Sequence, residues 1–403
     1  MTVTQRPARP ARPSRPAPPA RRSSRPARRG RGLPGTATTE FWWLLGTIAV
    51  LNLLGLVMVL SASSVVALDE TGSTWSYFAR QTTWAVIGSI GLFLFAALDR
   101  RLVRRLCRLA FGISVFMLLL LMVPGLGVEV NGATRWLGAG PLQIQPSEFA
   151  KFALLLFVAD LLAGRSREMH DPTRTFWPVI GVLALVGGLV LIEPNLGTAL
   201  VLASIVFVML WVAGTQTGRL GLVGAAAAFG ASAMVLTTPF RRARFFAFLD
   251  PWADPGNTGY QNLQALVALG SGGMFGVGLG ASRAKWDYLP FAQTDFIFAI
   301  IGEELGLVGA VFVVALFVTL GTFGVRTALI APDRFSMLAC VGITAWFMVQ
   351  AFLNIGMVIG LLPITGVPLP FISFGGSSLL VTMCAAGFLL NVARHPRTRH
   401  RAS

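Results

Sequence analysis

Asp295 stands where an acid is costly. It is the penultimate residue of "YLPFAQTDF", Tyr288–Phe296, and the apolar run "FIFAIIGEELGLVGA" begins at the next residue. A carboxylate at the lip of a greasy segment can act as a general base on a hydroxyl held at that surface, a contribution of about 10²–10⁴-fold. Ten residues earlier lies Lys285, and the chain has only one other lysine, Lys151; arginine supplies the rest of its 33 basic residues. The three histidines, His170, His395 and His400, fall far from Asp295 in sequence. The other acids that could share its side of the chain have weaker claims. Asp69 and Glu70 sit in a short first loop, Asp250 and Asp254 flank Pro251, Glu129 and Glu193 precede turns, and Asp287 lies just before a proline bend.

A second group of charges sits inside apolar sequence. "QPSEFAK" reads as a helix start, with Pro146 in the first turn and Glu148 near the positive end of the helix dipole. Lys151 comes one turn further in, where a lysine costs about 2.5–3.5 kcal/mol. It should face a wet cavity or an acid, with Asp295 the leading candidate, unless it snorkels to the interface. Glu303 and Glu304 are consecutive within a span. Neighbours on a helix point about 100° apart, so a structural role is expected, with one of them accepting bonds from broken backbone or a neighbouring span.

These side chains must be positioned by a membrane fold. Of 403 residues, 54% are hydrophobic and 12% charged, about half the charge of a soluble domain. Ten apolar segments are long enough to cross a bilayer, near 41–63, 79–98, 106–124, 148–164, 176–192, 197–214, 219–238, 296–324, 335–361 and 370–393. Lipid leaves no partner for free backbone groups, so the fold class is an all-α polytopic membrane protein. With the amino terminus cytoplasmic, the inner segments hold 25 Lys/Arg against 8 on the outer side, and 15 against 8 without the first 39 residues. That asymmetry places both termini in the cytoplasm.

Residues 1–39 form a Pro/Arg-rich tail expected to be disordered and attracted to anionic lipid, and not a nucleic-acid binder. The membrane domain runs from 40 to 394, with a short basic tail at 395–403. Cys107, Cys340 and Cys384 all fall in spans without a CxxC pair, so neither disulfide nor thiolate metal site is indicated. Three outer segments exceed plain connectors, at 125–147, 239–295 (before the eighth span) and 362–370. "RRARFFAFLDPW" suits an interfacial helix. The glycines of "GSGGMFGVGLGAS" match no phosphate-binding motif. They suit close packing or re-entrant turns. "PITGVPLPFISFGGSSLL" cannot be a regular helix, and should line the same cavity.

In this order, "NGATRWL…LQIQPSEFAK", "DPW", "GYQ", "GLGASRAKWDYLP", "TDFIFAIIGEELG" and "GVPLPFISFGGSSLL" resemble the SEDS family of membrane proteins of shape, elongation, division and sporulation. The resemblance covers about Phe41 to Arg394. It implies a peptidoglycan glycosyltransferase that polymerises lipid II at the outer face, with a class B penicillin-binding protein as partner. The family's catalytic aspartate falls on Asp295 and its "PSE–AK" lysine on Lys151. The leaving group would be a lipid diphosphate, for which Arg135, Lys151, Arg241 and Lys285 are the cationic candidates. Gln261 and Ser373, in two of the shared motifs, complete the substrate-binding set. "VMVLSASS" and the basic tail look more like the division members than the elongation members, which implies a septal location and other division proteins as partners. No metal ligands are assigned, and a divalent cation is left open. The chain departs from the pattern at Phe291 and Gln293, where glutamate and histidine are usual, and at Asn195, where aspartate is common. The rival readings are a lipid II flippase, which needs a path through both faces, and a division scaffold, which leaves the intramembrane charges unexplained.

Overall fold

The computed structural model describes residues 37–130, 133–138, 143–168 and 171–395. The expected basic tail lies almost wholly outside the described residues, as do His170, His400 and nearly all of 395–403.

Among the described residues the ten apolar runs become ten long helices. In chain order the elements are α1 (Thr39–Thr71), α2 (Ser76–Ala97), α3 (Arg100–Leu120), a hairpin of β1 (Gly127–Val130) and β2 (Ala133–Leu137), α4 (Pro146–Gly164), α5 (Phe176–Ile192), α6 (Leu196–Ala213) and α7 (Thr217–Thr237). There follow two shorter helices, α8 (Pro239–Leu249) and α9 (Tyr260–Ser271), then α10 (Ile297–Leu329), α11 (Arg334–Val358) and α12 (Gly376–Arg394). Six of them, α1, α6, α7, α10, α11 and α12, are by themselves long and apolar enough to cross a membrane. α5 is apolar but shorter, and α3 opens on Arg100, Arg101, Arg104, Arg105 and Arg108.

Local chemistry sets the ends. Asp99 accepts from the Arg101 N–H and Asp333 from that of Ser336, each capping the helix that follows. α1 runs past its expected end near residue 63 because the chain stays helical up to Gly72, whose φ of 71° and N–H to the Leu68 carbonyl make a left-handed cap. The stretch after Asn131–Gly132 is the second strand of the antiparallel hairpin. Asn-Gly between alternating residues is a strong hairpin signal.

α10 is broken inside the bundle. Gly306 has φ 69° and ψ −167°, and the segment after α9 enters the gap. The Val277 and Gly278 N–H groups donate to the Glu303 and Glu304 carbonyls at 3.0 and 3.1 Å. Leu307 and Val308 donate back to Gly273 and Met274 at 2.9 and 3.2 Å. Backbone bonds from the incoming segment thereby stand in for those the helix loses, which is the condition for irregular backbone at this depth. A Cβ on Gly306 would run into the backbone of Met274 and Gly276, so a side chain there would both strain the backbone and push the segment out.

Because consecutive helices reverse direction, one end of the bundle gathers the segments following α1, α3, α5, α7 and α11. Contacts between them bear this out: β2 meets the α5–α6 turn, and Gln145 donates from its N–H to Ser377 at 3.3 Å. At the other end, Thr38 donates to the Ala393 carbonyl at 2.8 Å, so both ends of the described chain lie together. There Arg104 and Arg108 also pair with Asp160 at 2.6 and 3.0 Å. α12 sits centrally against α1, α2, α4, α10 and α11. α7 lies at the periphery, with only Leu220 buried and Leu222 and Phe229 mostly exposed, the disposition lipid favours.

Candidate active site

Asp295 sits just before the N-cap of α10, in a tight loop. The Thr294 and Phe296 N–H groups both turn back to the Phe291 carbonyl, at 3.1 and 3.3 Å, and Phe291 takes φ 60° to allow it. A bulky side chain in left-handed backbone is strained and persists only where its surroundings hold it. They do so here on two sides. Asn354 of α11 donates from Nδ2 to the Asp295 and Val367 carbonyls, both at 2.8 Å. Ser373 donates from Oγ to the Thr294 carbonyl at 2.6 Å and accepts from the Leu369 N–H at 2.8 Å, while Phe374 donates from its N–H to the Gln293 carbonyl at 3.0 Å. The non-helical segment between α11 and α12 is thus the bed on which Asp295 lies. Gly366 (φ 67°) brings that bed within van der Waals reach of the carboxylate, since a Cβ there would lie 3.6 Å from Asp295 Oδ2.

The same end of the bundle supplies cations. Arg135 of β2 is tied down by the α5–α6 turn, donating from Nε to the Glu193 carbonyl at 2.9 Å and from Nη2 to that of Pro194 at 2.8 Å. Arg135 and Arg244, the latter on α8, are the charges whose field reaches Asp295. Arg241, one turn earlier on α8, is felt by Arg135. Burial pushes the Asp295 carboxyl up to about 6, and Arg244 and Arg135 keep it from rising further. The group keeps some accessible surface although it lies deep in the protein. Burial also pulls both guanidinium groups below their ordinary value, against the pull of Asp295. A carboxyl raised in this way can take a proton from a hydroxyl, and the two arginines in its field can hold an anionic leaving group.

The other expected site residues are placed differently. Lys151 is 1% exposed, which rules out snorkelling. Its ammonium pairs with Glu148 at 2.8 Å, not with Asp295, the partner expected first. The two are three residues apart and share one face of α4, so the helix itself delivers the acid. Glu148 is therefore more than a helix-start acid. The Lys151 ammonium also donates to Gln350 Oε1 at 3.3 Å and lies 5.1 Å from the centre of the Trp346 ring. Trp346 Nε1 donates to the same oxygen at 2.6 Å, and Gln350 Nε2 donates to the Pro368 carbonyl at 2.8 Å. This chain of bonds runs from α4 through α11 to the bed under Asp295.

Lys285 is buried too, donating to the Gly280 carbonyl at 2.6 Å and lying 3.9 Å from Glu304. Glu303 accepts from Ser282 Oγ at 2.5 Å and from the Arg283 N–H at 2.8 Å, and Glu304 from Ser61 Oγ at 2.6 Å. Both acids, rather than one, hold the loop that leads to Asp295. Gln261 lies half-buried at the start of α9. Asn195 caps α6 by accepting from the Thr198 N–H at 3.2 Å, a task that asks for a side-chain oxygen but no charge. Among the described residues, no group of three or more His, Cys, Asp or Glu gathers as metal ligands would.

Two positions escaped the sequence reading, Gln350 and Asn354. Their signal was present: with Trp346 they form a polar i, i+4, i+8 stripe in an apolar helix, where polar groups need partners. Replacing Asn354 by Ala should leave two buried carbonyls unpaired, at about 1–3 kcal/mol each. It should also loosen the Asp295 loop, with kcat falling by up to ~10²-fold and KM changing much less. Steady-state kinetics and thermal melting of that variant check both effects.

A bundle of this form, with a buried acid and arginines gathered at one end, defines a multi-pass helical membrane protein. The family model described as "Cell cycle protein", which groups FtsW, RodA and SpoVE, matches residues 42–398, and the chain belongs to this family. It is 41% identical over 344 residues to stage V sporulation protein E of Bacillus subtilis (strain 168), covering 85% of this chain and 94% of that protein. It is 40% identical over 361 residues to the probable peptidoglycan glycosyltransferase FtsW of Mycobacterium tuberculosis (strain ATCC 25618 / H37Rv), covering 90% of this chain and 69% of that one. A solved chain from "Structural coordination of polymerization and crosslinking by a peptidoglycan synthase complex" superposes with a TM-score of 0.73 at 31% identity, covering 89% of this chain and 98% of that one.

Proposed function

We propose that this chain is a peptidoglycan glycosyltransferase that polymerises lipid II at the outer membrane face, with Asp295 as the general base. The observation that carries the reading is Asp295 held on a fixed bed at one end of the bundle, within the field of Arg135 and Arg244. Asp295 takes the proton of the acceptor sugar's hydroxyl. The oxygen forms a bond to the donor's anomeric carbon as the bond from that carbon to the lipid diphosphate breaks. The diphosphate leaves with its charge held by Arg135, Arg241 and Arg244. Lys151 and Lys285 support this site from inside the fold, because their ammonium groups are already engaged. Ser373 does likewise through the Thr294 carbonyl. Gln261, half-buried near the α8–α9 segment, is left to the sugar.

The proposed placement of both termini in the cytoplasm is supported by the arginine asymmetry and by the shared end of Thr38 and Ala393. A class B penicillin-binding protein is the proposed partner, other division membrane proteins the proposed neighbours, and the septum the proposed site of action. The likeness to a chain from a peptidoglycan synthase complex and to FtsW supports that set. The test is lipid II polymerisation by purified protein, alone and with a class B partner. Glycan strands should form, and more of them with the partner. Movement of lipid II across vesicles without any polymer would sink the reading in favour of a flippase.

A further inference from the structure

Glu193 is an acid that the scheme above leaves unused. It closes the end of α5, 5% exposed, and among the described residues neither of its carboxylate oxygens has a hydrogen-bond partner. Such a group is stable in the neutral form and costly in the charged one. Its place at the carboxyl end of a helix works in the same direction, because the dipole there disfavours negative charge. Its main chain, by contrast, is occupied: the Glu193 and Pro194 carbonyls are the two anchors of Arg135. The guanidinium that reaches towards Asp295 is therefore mounted on the residue whose own carboxyl lies beside it without a bond.

Among the described side chains, Arg135 is the one charge whose field reaches that carboxyl. α5 and α6 carry no ionisable side chain, and those of α3 lie in its first half, at the far end of the bundle. α4 brings Glu148 and Lys151 to this end, and they are paired with each other. The segment between α11 and α12 has none. Asp295 and the α8 residue Arg241 act on Arg135 as Glu193 does, and Arg244 couples to Asp295 and Arg135. Arg135 is thus shared between two acids.

We propose that Glu193 is a positioning residue for Arg135: protonated, it leaves the guanidinium to Asp295 and the donor diphosphate, and ionised, it draws the guanidinium to itself and slows the reaction. This rests on the glycosyltransferase reading. Burial pushes the Glu193 carboxyl up to about 8, with Arg135 opposing, so the change of state falls just above neutral pH.

The test is the pH dependence of lipid II polymerisation by the full-length protein and by Glu193→Gln, each normalised to its own rate at pH 7. A single group titrating near 8 should lower the wild-type rate about tenfold between pH 7 and 9. Glu193→Gln, which cannot ionise, should lose that fall. Thermal melting supplies a second readout. The folded state holds the Glu193 proton more tightly than the unfolded chain, so the wild type should lose stability as pH rises through about 8, while Glu193→Gln should not. In an Arg135→Ala background, Glu193→Gln should leave the normalised profile unchanged. The proposal is overturned if Glu193→Gln keeps the alkaline fall, if the effect persists without Arg135, or if folded Glu193→Gln is inactive at every pH, which would make Glu193 a group that touches substrate. A wild type that makes no polymer would instead overturn the reading on which it rests.

Discussion

Asp295→Asn protein should insert, fold and melt at a higher temperature than the wild type at pH 8, while making roughly 10²-fold less polymer or none. The two effects share one cause. Asn keeps the shape of the side chain and removes the base, and loss of the base alone accounts for about 10²-fold or more. The stability gain follows from the direction in which burial moves the group. Burial raises the Asp295 carboxyl to about 6, so the folded state holds that proton more tightly than the unfolded chain. The associated stability is present at low pH and is lost as pH rises through about 6. At pH 8 the wild type carries an ionised acid in a site that disfavours it. Raising a carboxyl this far above its ordinary value corresponds to roughly 3 kcal/mol. The partial exposure of the group reduces this to about 1–3 kcal/mol. Comparison of melting curves at pH 5 and pH 8 checks the sign, because the difference between the proteins should shrink at the lower pH.

The second large effect belongs to Lys151. Replacing it by Ala leaves Glu148 buried with no cation, and breaking a buried pair in this way costs about 3–5 kcal/mol. The damage should spread along the bonds from Gln350 to Pro368 and so reach the bed of Asp295. We expect little folded protein and no polymer from Lys151→Ala. Replacing both partners, Glu148→Gln with Lys151→Met, removes the stranded charge and should restore most of the melting temperature. Activity of the double variant separates two roles for the lysine. A residue 1% exposed and already paired should be dispensable once its acid is gone, so polymerisation should return with the fold. A double variant that melts normally and stays inactive would assign the ammonium to substrate.

Much of this was legible in the sequence, and the reasons differ from residue to residue. The helices could be read because lipid allows few alternatives to an apolar helix, and α5 begins and ends where the hydropathy does. Asp295 could be read because an acid at the lip of a span has few innocent explanations. The partner of Lys151 was harder. Glu148 lies three residues away, close enough to pair through the helix, but its place near the helix start offered an equally good local reason for an acid. The break at Gly306 was not legible, because glycine in a membrane helix is common. What makes it a break is the segment Gly272–Gly278 arriving from elsewhere to take over its hydrogen bonds. Arg244 was indistinguishable from Arg241 and Arg242 in "RRARFF", since only the rotation of α8 decides which of them faces Asp295. Glu193 was set aside as an acid before a turn. Its meaning lies in burial and in an arginine 58 residues away, neither of which the local sequence carries.

The most direct test of Asp295 as the base is kcat/KM for lipid II polymerisation by the purified wild type, measured from pH 4.5 to 7.5. A base must be ionised to act, so the rate should rise with pH through a midpoint near 6, the value to which burial moves this carboxyl. Any residual rate of Asp295→Asn should lack that limb. A wild-type profile flat across this range, or the same limb persisting in folded Asp295→Asn, would contradict the assignment.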